Sequence, residues 1–448
     1  MQGFFLDRRW PYALALGALA MAITGCGAPS AAPASTQATS APATLPPTVI
    51  AATAAGMATV APSPTSAPFP TAQLSPTPPP LPTQVAATAT PPLPEIDPLL
   101  AADLQRALDR LVADGNIPGA VLSVDIPGYE PWHGASGFAD MRRTQAMEST
   151  TEVRIASISK VFTAVVVLQL IEEGRLSLDT PLSTWYPQIV PNADRITVRN
   201  LLQHTTGLYD YLEDKHFLSE LFQMPTYVWP PSELVAYAAA RPSAFEPGAK
   251  GAWDYSSTNY VILGMIVERV TGNTLAHEMR ERIFTPLGLE HTFFPPDDTV
   301  QGAAARGYRQ LVDQTNISLS FAFATANLVS TADDVRRFGV ALFGGKLLKP
   351  ETMEQMFTFK NGKGQYNMPM LEYGLGVMRN QLDIRAGAPG HIRKATCTVL
   401  GHTGGFGGFR SALWHEPESG ITIALGMNQG ATDPNILAAR VFKAIYSH

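Results

Sequence analysis

Cysteine and clusters of basic residues are scarce in this chain. Its 448 residues include two cysteines, Cys26 and Cys397, so a disulfide framework is excluded. The formal net charge is -6, and the sequence contains neither runs of basic residues nor basic residues interleaved with aromatic ones. These absences argue against nucleic acid as a partner.

Several catalytic and binding motifs are also missing. The nearest approach to a Gly-x-Ser-x-Gly nucleophile elbow, GASGF at 134–138, has the wrong spacing, which removes the nucleophile of an α/β-hydrolase triad. The glycine-rich GGFGGF at 404–409 leads into a strand pattern instead of a helix, so it is not a phosphate loop. No histidines pair at metal-ligand spacing, and we predict neither a metal site nor a cofactor.

The N-terminus has the pattern of an export signal. Arg8 and Arg9 precede an uncharged apolar stretch, Trp10–Ile23, that is too short for a typical membrane-spanning helix. The following ITGC at 23–26 resembles the lipobox of bacterial lipoproteins, which implies a signal peptide over 1–26 and lipidation of Cys26. We therefore expect an extracytoplasmic protein, attached to the cell membrane through its N-terminal lipid. The alternative is an ordinary secretory signal and a secreted protein.

Residues 27–94 lack charge altogether. This segment consists mainly of Ala, Pro, Thr and Ser, as in APSPTSAPFPTAQLSPTPPPLPTQ, and cannot bury a core. We predict a disordered linker, which either serves as a tether carrying O-linked sugars or is a neutral spacer. Residues 95–448 have balanced charge and repeated helix signals, and they form the predicted catalytic domain.

The pattern of this domain predicts an α+β fold. Helical apolar spacing in IDPLLAADLQRALDRLVADG precedes two strand-like segments, and GFRSALWHEPESGITIALGMNQ predicts another hairpin before the closing helix NILAARVFKAIY. The middle, from about Leu178 to Leu348, is mostly helical. We expect an antiparallel sheet flanked by the terminal helices, with a mostly helical lobe inserted into the chain.

Ser157 and Lys160 lie three residues apart, where an apolar helix begins. Side chains at this spacing share one face of a helix, and the residues that follow are apolar nearly all round, so the helix should be central. A buried lysine must find a partner or lose its proton. Taken alone, the pair favours a helix-capping serine and a lysine that extends to solvent.

Two further motifs follow in the chain. WDYSSTNY at 253–260 precedes the helix VILGMIVERV, and GHTGG at 401–405 opens the first C-terminal strand of the predicted fold. With Ser157 and Lys160, this order resembles the serine hydrolases of the class C β-lactamase and D-alanyl-D-alanine carboxypeptidase superfamily, over about 96–448. These enzymes carry Ser-x-x-Lys, Tyr-x-Asn and Lys-Thr-Gly or His-Thr-Gly. LLQHTTGL at 201–208 and YGLG at 373–376 are further local matches.

The resemblance implies a role for each matching residue. Ser157 would be the nucleophile, and Lys160 and Tyr255 would share the proton that it loses. Which of these two is the base stays open, because strongly coupled groups titrate together. The resemblance also implies an oxyanion hole at the N–H groups of Ser157 and Gly405. It assigns substrate binding to one set of residues: Ser257, His402, Thr403, Gly404 and Gly405.

Two positions depart from the usual family pattern. Ser257 stands where asparagine is most common, and His402 replaces lysine, which favours peptidase or esterase action over β-lactamase action. Singly, Tyr255 and His402 could be ordinary core residues. We interpret His204 in LLQHTTGL as fixing a junction between helix and turn, with Gly207 supplying an unusual backbone angle, and not as catalytic.

The expected function is hydrolysis of small amides or esters through an acyl-enzyme at Ser157. Peptides ending in D-Ala-D-Ala, such as those of peptidoglycan, are the leading substrates, and β-lactams are candidate substrates or inhibitors. One alternative is an esterase of the same family. Another is a non-catalytic, penicillin-binding-like module that holds wall peptides.

Overall fold

The computed structural model describes residues 92–448 except 301, 303, 363, 389 and 390. The expected signal peptide, with Cys26, lies outside the described residues, as does the expected linker up to residue 91. In the described range, no helix combines the length and the apolar character needed to cross a bilayer.

An antiparallel sheet of eight strands organises this region. Its strand order is β2-β1-β12-β11-β10-β9-β8-β7, and β3 with β6 and β4 with β5 form two small separate pairs. The strands are β1 (Gly119–Asp125), β2 (Trp132–Gly137), β3 (Val153–Arg154), β4 (Tyr308–Arg309), β5 (Val312–Asp313), β6 (Val329–Ser330), β7 (Lys360–Asn361), β8 (Glu372–Tyr373), β9 (Met378–Ala388), β10 (His391–Phe406), β11 (Phe409–His415) and β12 (Thr422–Met427).

The helices have the following bounds: α1 (Pro98–Asp114), α2 (Ser159–Glu172), α3 (Val198–Gln203), α4 (Lys215–Gln223), α5 (Pro231–Ala239), α6 (Ser257–Thr271), α7 (Leu275–Met279), α8 (Thr285–Leu287), α9 (Phe323–Ala326), α10 (Ala332–Phe343), α11 (Pro350–Met356) and α12 (Pro434–Ser447). Short 3-10 turns and one π-helical turn, Arg280–Phe284, connect some of them. The α+β architecture expected from the sequence is confirmed, including the mostly helical middle of the chain.

The two terminal helices cover one face of the sheet. Both begin with an aspartate whose side chain accepts a backbone N–H, followed by a proline in the first turn, and this combination favours a helix start. Their buried apolar residues recur at helical spacing and join one hydrophobic cluster with the sheet. These residues are Leu100, Leu104, Leu108 and Leu111 in α1, and Leu437, Ala438, Val441 and Phe442 in α12.

The helical lobe covers the opposite face. Helix α2 is buried along almost its whole length, as its uniformly apolar sequence predicts, and it joins α6 and α10 in a second hydrophobic cluster. Leu413 and Ala424 contribute the sheet side of this cluster. The start of α2 therefore lies between sheet and lobe, where a side chain is protected from bulk water.

One expectation about the sheet was wrong. GHTGG at 401–405 does not open a strand, because β10 already begins at His391 and these residues lie near its end. The preceding β9 pairs with β10 from Ala388–His391 to Met378–Gly401. In β9, exposed Gln381, Asp383 and Arg385 alternate with buried apolar residues. This period of two is typical of a strand with one face in the core.

Candidate active site

Ser157 lies in the 3-10 turn Ala156–Ile158, immediately before α2. Ala156 has φ 47°, a left-handed conformation that costs energy for a residue other than glycine and that is frequent at functional sites. Strand β11 supports this turn, since the Ser411 hydroxyl donates to the Ile155 carbonyl at 2.6 Å. The turn places Ser157, which is half-buried, at the positive end of the α2 dipole.

Position 404 of the strand motif requires glycine because it lies directly against this turn. A Cβ at position 404 would lie 2.2 Å from the Ile155 carbonyl oxygen, 2.3 Å from the Ser411 hydroxyl and 3.2 Å from the Ala156 Cβ. A side chain at this position would push β10 away from the nucleophile turn. Gly404 thus serves the site by allowing close approach of two backbones.

Lys160 is fully buried in the first turn of α2. Its Nζ lies 3.3 Å from the Ser157 Oγ, 3.4 Å from the Ser257 Oγ and 3.1 Å from the Thr325 carbonyl oxygen. Burial lowers the pKa of Lys160 to about 7, although the negative charge of Asp210 acts in the opposite direction. At neutral pH, a substantial fraction of Lys160 is therefore without its extra proton, and the neutral amine can accept one from a hydroxyl.

Tyr255 approaches from the segment that precedes α6. The Lys160 Nζ lies 4.9 Å from the centroid of the Tyr255 ring, within the range of a cation–π contact. The sequence motif at 255–257 thus delivers Tyr255 and Ser257 to the same buried lysine. The structure thus brings the pair Ser157 and Lys160 together with the pair Tyr255 and Ser257, although Lys160 and Ser257 are 97 positions apart in the chain.

His204 positions the tyrosine segment. It ends α3 in a left-handed conformation, with φ 58°. Its Nδ1 accepts the Ser256 N–H at 3.2 Å, and its ring packs against the Tyr255 ring with a centroid separation of 4.3 Å. The junction role expected for His204 is seen here, with the addition that its own backbone takes the unusual angle, as Gly207 also does at φ 74°.

His402 does not fit the expected role of binding substrate with its side chain. The imidazole is fully buried, its Nδ1 lies 2.5 Å from the Thr403 carbonyl oxygen, and its Nε2 lies 3.1 Å from the Tyr373 hydroxyl. Since a carbonyl accepts only, Nδ1 carries the proton and Nε2 accepts from Tyr373. Burial and the charge of Lys160 lower the pKa of His402 to about 3, so this residue is a neutral support of the site.

The end of β10 offers an open strand edge beside Ser157. In the described part of the sheet, the pairing of β9 with β10 ends at Met378–Gly401, and His402, Thr403, Gly404 and Gly405 extend beyond it. Thr403 and Gly405 are half-buried there. The Thr403 hydroxyl faces the Met378 sulfur at 3.9 Å, and a Cβ at Gly405 would meet the Arg410 Nη1 at 2.1 Å. An extended substrate can pair with such an edge.

Motif spacing missed two residues near this site, Tyr373 and Asp210. Tyr373 belongs to the YGLG segment, to which the sequence assigned no role, and Asp210 belongs to no motif. Tyr373 is fully buried, and its hydroxyl lies 3.1 Å from the His402 Nε2. The Asp210 carboxylate accepts the Leu212 N–H at 3.0 Å, and its negative charge raises the pKa of Lys160 against the larger effect of burial.

Comparisons with known proteins agree with this fold. The family model described as Beta-lactamase matches residues 104–445. A solved structure, the D-stereospecific amidohydrolase from Streptomyces sp., superposes with a TM-score of 0.65 at 32% identity, covering 77% of this chain and 98% of that one. The chain therefore belongs to the beta-lactamase family, a class of serine hydrolases that includes penicillin-binding proteins.

Two curated relatives add detail. A putative penicillin-binding protein, PbpX of Bacillus subtilis, is 29% identical over 250 residues, which cover 54% of this chain and 60% of that protein. Esterase EstB of Burkholderia gladioli is 33% identical over 207 residues, 44% of this chain and 52% of the esterase. The chain thus spans only half to three-fifths of these two relatives.

Proposed function

We propose that this protein hydrolyses small amides and esters by forming an acyl-enzyme at Ser157. One observation carries the proposal: a fully buried lysine with a pKa near 7 lies 3.3 Å from the hydroxyl of a serine at a helix start. A serine hydroxyl is a weak nucleophile until a neighbouring base takes its proton, and Lys160 is within reach to do so. Tyr255, beside the Lys160 ammonium, is the second proton carrier.

The reaction then has two halves. The Ser157 oxygen attacks the carbonyl carbon while its proton passes to the Lys160–Tyr255 pair, and the negative charge collects on the carbonyl oxygen. N–H groups of Ser157 and Gly405 would stabilise this oxygen, as the family pattern implies. The proton goes on to the leaving amine or alcohol. Water repeats the sequence on the acyl-enzyme and frees Ser157.

We favour amides with a D-configured residue at the scissile bond, including D-Ala-D-Ala peptides. The structural relative that acts with D-stereospecificity supports this choice. An esterase is the second candidate, because His402 is neutral and Thr403 faces the apolar Met378, an arrangement poorly suited to a leaving group that carries a carboxylate. β-Lactams remain candidate substrates or inhibitors.

A substrate panel tests these assignments. Turnover is measured for a D-aminoacyl p-nitroanilide, its L-enantiomer, a D-Ala-D-Ala tripeptide, a p-nitrophenyl ester and nitrocefin. We expect the D-anilide to exceed the L-anilide, with activity lost in Ser157→Ala and kept in the exposed-serine control Ser177→Ala. Esters alone would favour the second candidate. Binding of the peptide without turnover, unchanged in Ser157→Ala, would instead favour the non-catalytic module.

We further propose that the protein acts outside the cytoplasm, on a membrane to which the lipid of Cys26 attaches it. The sequence pattern at residues 8–26 supports this, and the uncharged linker would carry the domain away from the bilayer. Detergent phase partition of the full chain expressed in a bacterium tests the anchor. The wild type should enter the detergent phase and Cys26→Ala the aqueous phase; equal partition would contradict lipidation.

A further inference from the structure

Among the described aromatic rings that pack against Tyr255, the ring of Tyr366 is the most exposed. The two rings meet edge to face, with a centroid separation of 5.1 Å and an angle of 73° between their planes. Tyr366 is half-buried. Four buried rings also pack against Tyr255, those of His204, Trp253, Tyr373 and His402. The approach to Tyr255 from solvent therefore lies beside the Tyr366 ring.

The backbone of Tyr366 takes a conformation that tyrosine rarely adopts. Tyr366 lies in the 3-10 turn Gln365–Asn367, between β7 and β8, with φ 53° and ψ 31°. This left-handed conformation favours glycine or asparagine and costs energy for a bulky residue. Bulky residues with this strain are frequent at functional sites. Asparagine would suit the turn better, so the presence of tyrosine points to a role for the ring beyond the local fold.

Contacts on both sides of Tyr366 hold its turn against the segment that carries Tyr255. The Met368 N–H donates to the Gln365 carbonyl at 2.9 Å and closes the turn. The Gln365 Nε2 lies 3.5 Å from the Oδ1 of Asp254, the residue before Tyr255. Tyr366 also packs against the hydrophobic cluster that contains Tyr255. The ring of Tyr366 is thus fixed relative to the tyrosine that carries a proton in the proposed reaction.

The leaving group of the substrate is expected on this side of the site. In the proposed reaction, the proton that Ser157 loses passes through the Lys160–Tyr255 pair to the leaving amine or alcohol. Lys160 is fully buried, whereas Tyr255 is 9% exposed, so the leaving atom reaches the pair at Tyr255. The group attached to that atom then extends beside Tyr366.

The surface on this side is apolar. The Thr403 hydroxyl faces the Met378 sulfur at 3.9 Å, and Met378 belongs to the same hydrophobic cluster as Tyr255. His402, which stands where the family pattern has a lysine, is buried and hydrogen-bonded through both ring nitrogens. An aromatic leaving group gains contacts with Tyr366 and Met378, whereas a carboxylate would find no charge on His402.

We propose that Tyr366 selects the leaving group, and that the preferred substrates release an amine or alcohol that carries an aromatic group. The Tyr366 ring packs against this group while the bond to the leaving atom breaks, the acyl bond to Ser157 forms and the Ser157 proton leaves on the amine or alcohol. Tyr366 is a specificity-determining residue that takes no part in the proton transfer. The identity of the leaving group rests on the proposed function, but its contact with Tyr366 can be measured without turnover.

Amides that share one acyl group and differ in the leaving amine test the proposal. The D-alanyl amides of benzylamine, glycine and 2-methoxyethylamine carry an aromatic group, a carboxylate and a small polar group on amines of similar basicity. For the wild type, we expect kcat/KM of the benzylamide to exceed that of the other two by about 3- to 10-fold. Tyr366→Asn, which suits the left-handed backbone, should remove this preference, and Tyr366→Phe should keep it.

A matched control separates loss of the ring at this site from a general effect of the substitution. Tyr129 is 42% exposed and lies in the turn between β1 and β2. Tyr129→Asn should leave the three kcat/KM values and their ratios at the wild-type level. An equal decrease for all three amides in Tyr366→Asn would assign Tyr366 to the fold alone and would overturn the inference.

Binding in the Ser157→Ala background distinguishes this inference from the proposed function. Calorimetry gives the Kd of the benzylamide and of the methoxyethylamide, and we expect tighter binding of the benzylamide that Tyr366→Asn abolishes. Absence of hydrolysis in the wild type would contradict the acyl-enzyme for these amides, while the ratio of the two Kd values would still judge Tyr366. No preference for the benzylamide in Ser157→Ala, or a preference that persists when Tyr366→Asn is added, overturns the inference.

Discussion

The side chains of Lys160 and Lys394 are both largely buried, but Lys160 contacts neutral groups and Lys394 contacts carboxylates. Lys160 meets neutral oxygens at the start of α2, and burial lowers its pKa to about 7. Lys394 lies on β10 and contacts the Glu416 carboxylate at 2.6 Å and the Glu418 carboxylate at 2.8 Å. Burial alone would lower the pKa of Lys394, yet hydrogen bonds to these carboxylates raise it.

The difference shows how one residue type acquires two functions. Glu416 also binds Cys397 and Tyr446, so Lys394 completes a polar cluster that ties β10 to α12. Because two carboxylates pair with it, Lys394 keeps its proton, and its amine cannot act as a base. The hydrogen-bond partners of Lys160 are neutral, and the charge of Asp210 offsets the effect of burial only in part, so the charge of Lys160 can change near neutral pH. Incomplete compensation is what makes the first lysine suitable for chemistry.

The largest effect is expected from removing the catalytic amine. Lys160→Met should slow acylation by about 10²- to 10⁴-fold, because the neighbouring base is lost. The matched variant Lys394→Met should acylate at nearly the wild-type rate. Burst kinetics with a p-nitrophenyl ester measure both. Equal rates in wild type and Lys160→Met would remove this lysine from the mechanism.

The aromatic neighbours of the two lysines provide a second contrast. The Lys160 Nζ lies 4.9 Å from the Tyr255 ring centroid and the Lys394 Nζ 4.2 Å from that of Tyr446. Tyr255→Phe keeps the ring but loses the hydroxyl, and acylation should fall by about 10²-fold if this hydroxyl carries a proton. Tyr446→Phe should have no effect on acylation. Similar rates in both variants would assign Tyr255 to packing alone.

For stability, Lys394 is the lysine whose removal is expected to destabilise the protein. Lys394→Ala leaves Glu416 buried without its cation, and the free energy of unfolding should decrease by about 1 to 3 kcal/mol, less than for a fully buried pair because Lys394 is partly exposed. Urea unfolding at pH 7 measures this change. Adding Glu416→Gln should recover part of the loss. No recovery would mean that packing of the lysine stem, and not the unpaired carboxylate, is responsible.

The last contrast is the pH dependence of stability, which has opposite origins in the two lysines. The pKa of Lys160 is lower in the folded than in the unfolded state, so between pH 7 and 10.5 the unfolded chain binds more protons and the cost of burying Lys160 shrinks as pH rises. Lys160→Met should therefore stabilise the protein at pH 7, with a gain that decreases by about 1.4 kcal/mol per pH unit toward pH 10.

Lys394→Met is the control for this slope. The folded-state pKa of Lys394 is raised, so its stabilising contribution is fully present below about pH 10.5 and is lost only as pH rises through the folded value. Its stability difference from wild type should be constant from pH 7 to 10. Parallel slopes in the two methionine variants would contradict the contrast between the lysines.

The sequence predicts the outer parts of this fold well. Periodicity and capping residues locate α1 and α12, and alternation with a turn locates the β11–β12 hairpin, since these signals are local. The β9–β10 hairpin was missed, and GHTGG was placed at a strand start. The strand positions in β9 alternate polar and apolar residues, but the pairing of β9 with β10 depends on contacts between the two strands that no local pattern encodes.

The residues of the site likewise fall into two groups: those that a sequence motif predicts and those whose role depends on tertiary contacts. Ser157, Lys160, Tyr255 and Ser257 lie within motifs, and the structure brings them together. Asp210 belongs to no motif, because its position depends on how the loop after α3 packs against the start of α6. The burial of His402 likewise depends on Tyr373, a tertiary contact, which is why its substrate-binding role could not be judged from the residue type.

Identification of the nucleophile by covalent labelling tests the central claim most directly. The protein is treated with a fluorophosphonate at neutral pH, digested and examined by peptide mass spectrometry. The proposed mechanism requires the adduct on Ser157, its absence in Ser157→Ala, and much slower formation in Lys160→Met. An adduct on a different residue, or labelling that persists at wild-type rate in Ser157→Ala, would contradict it.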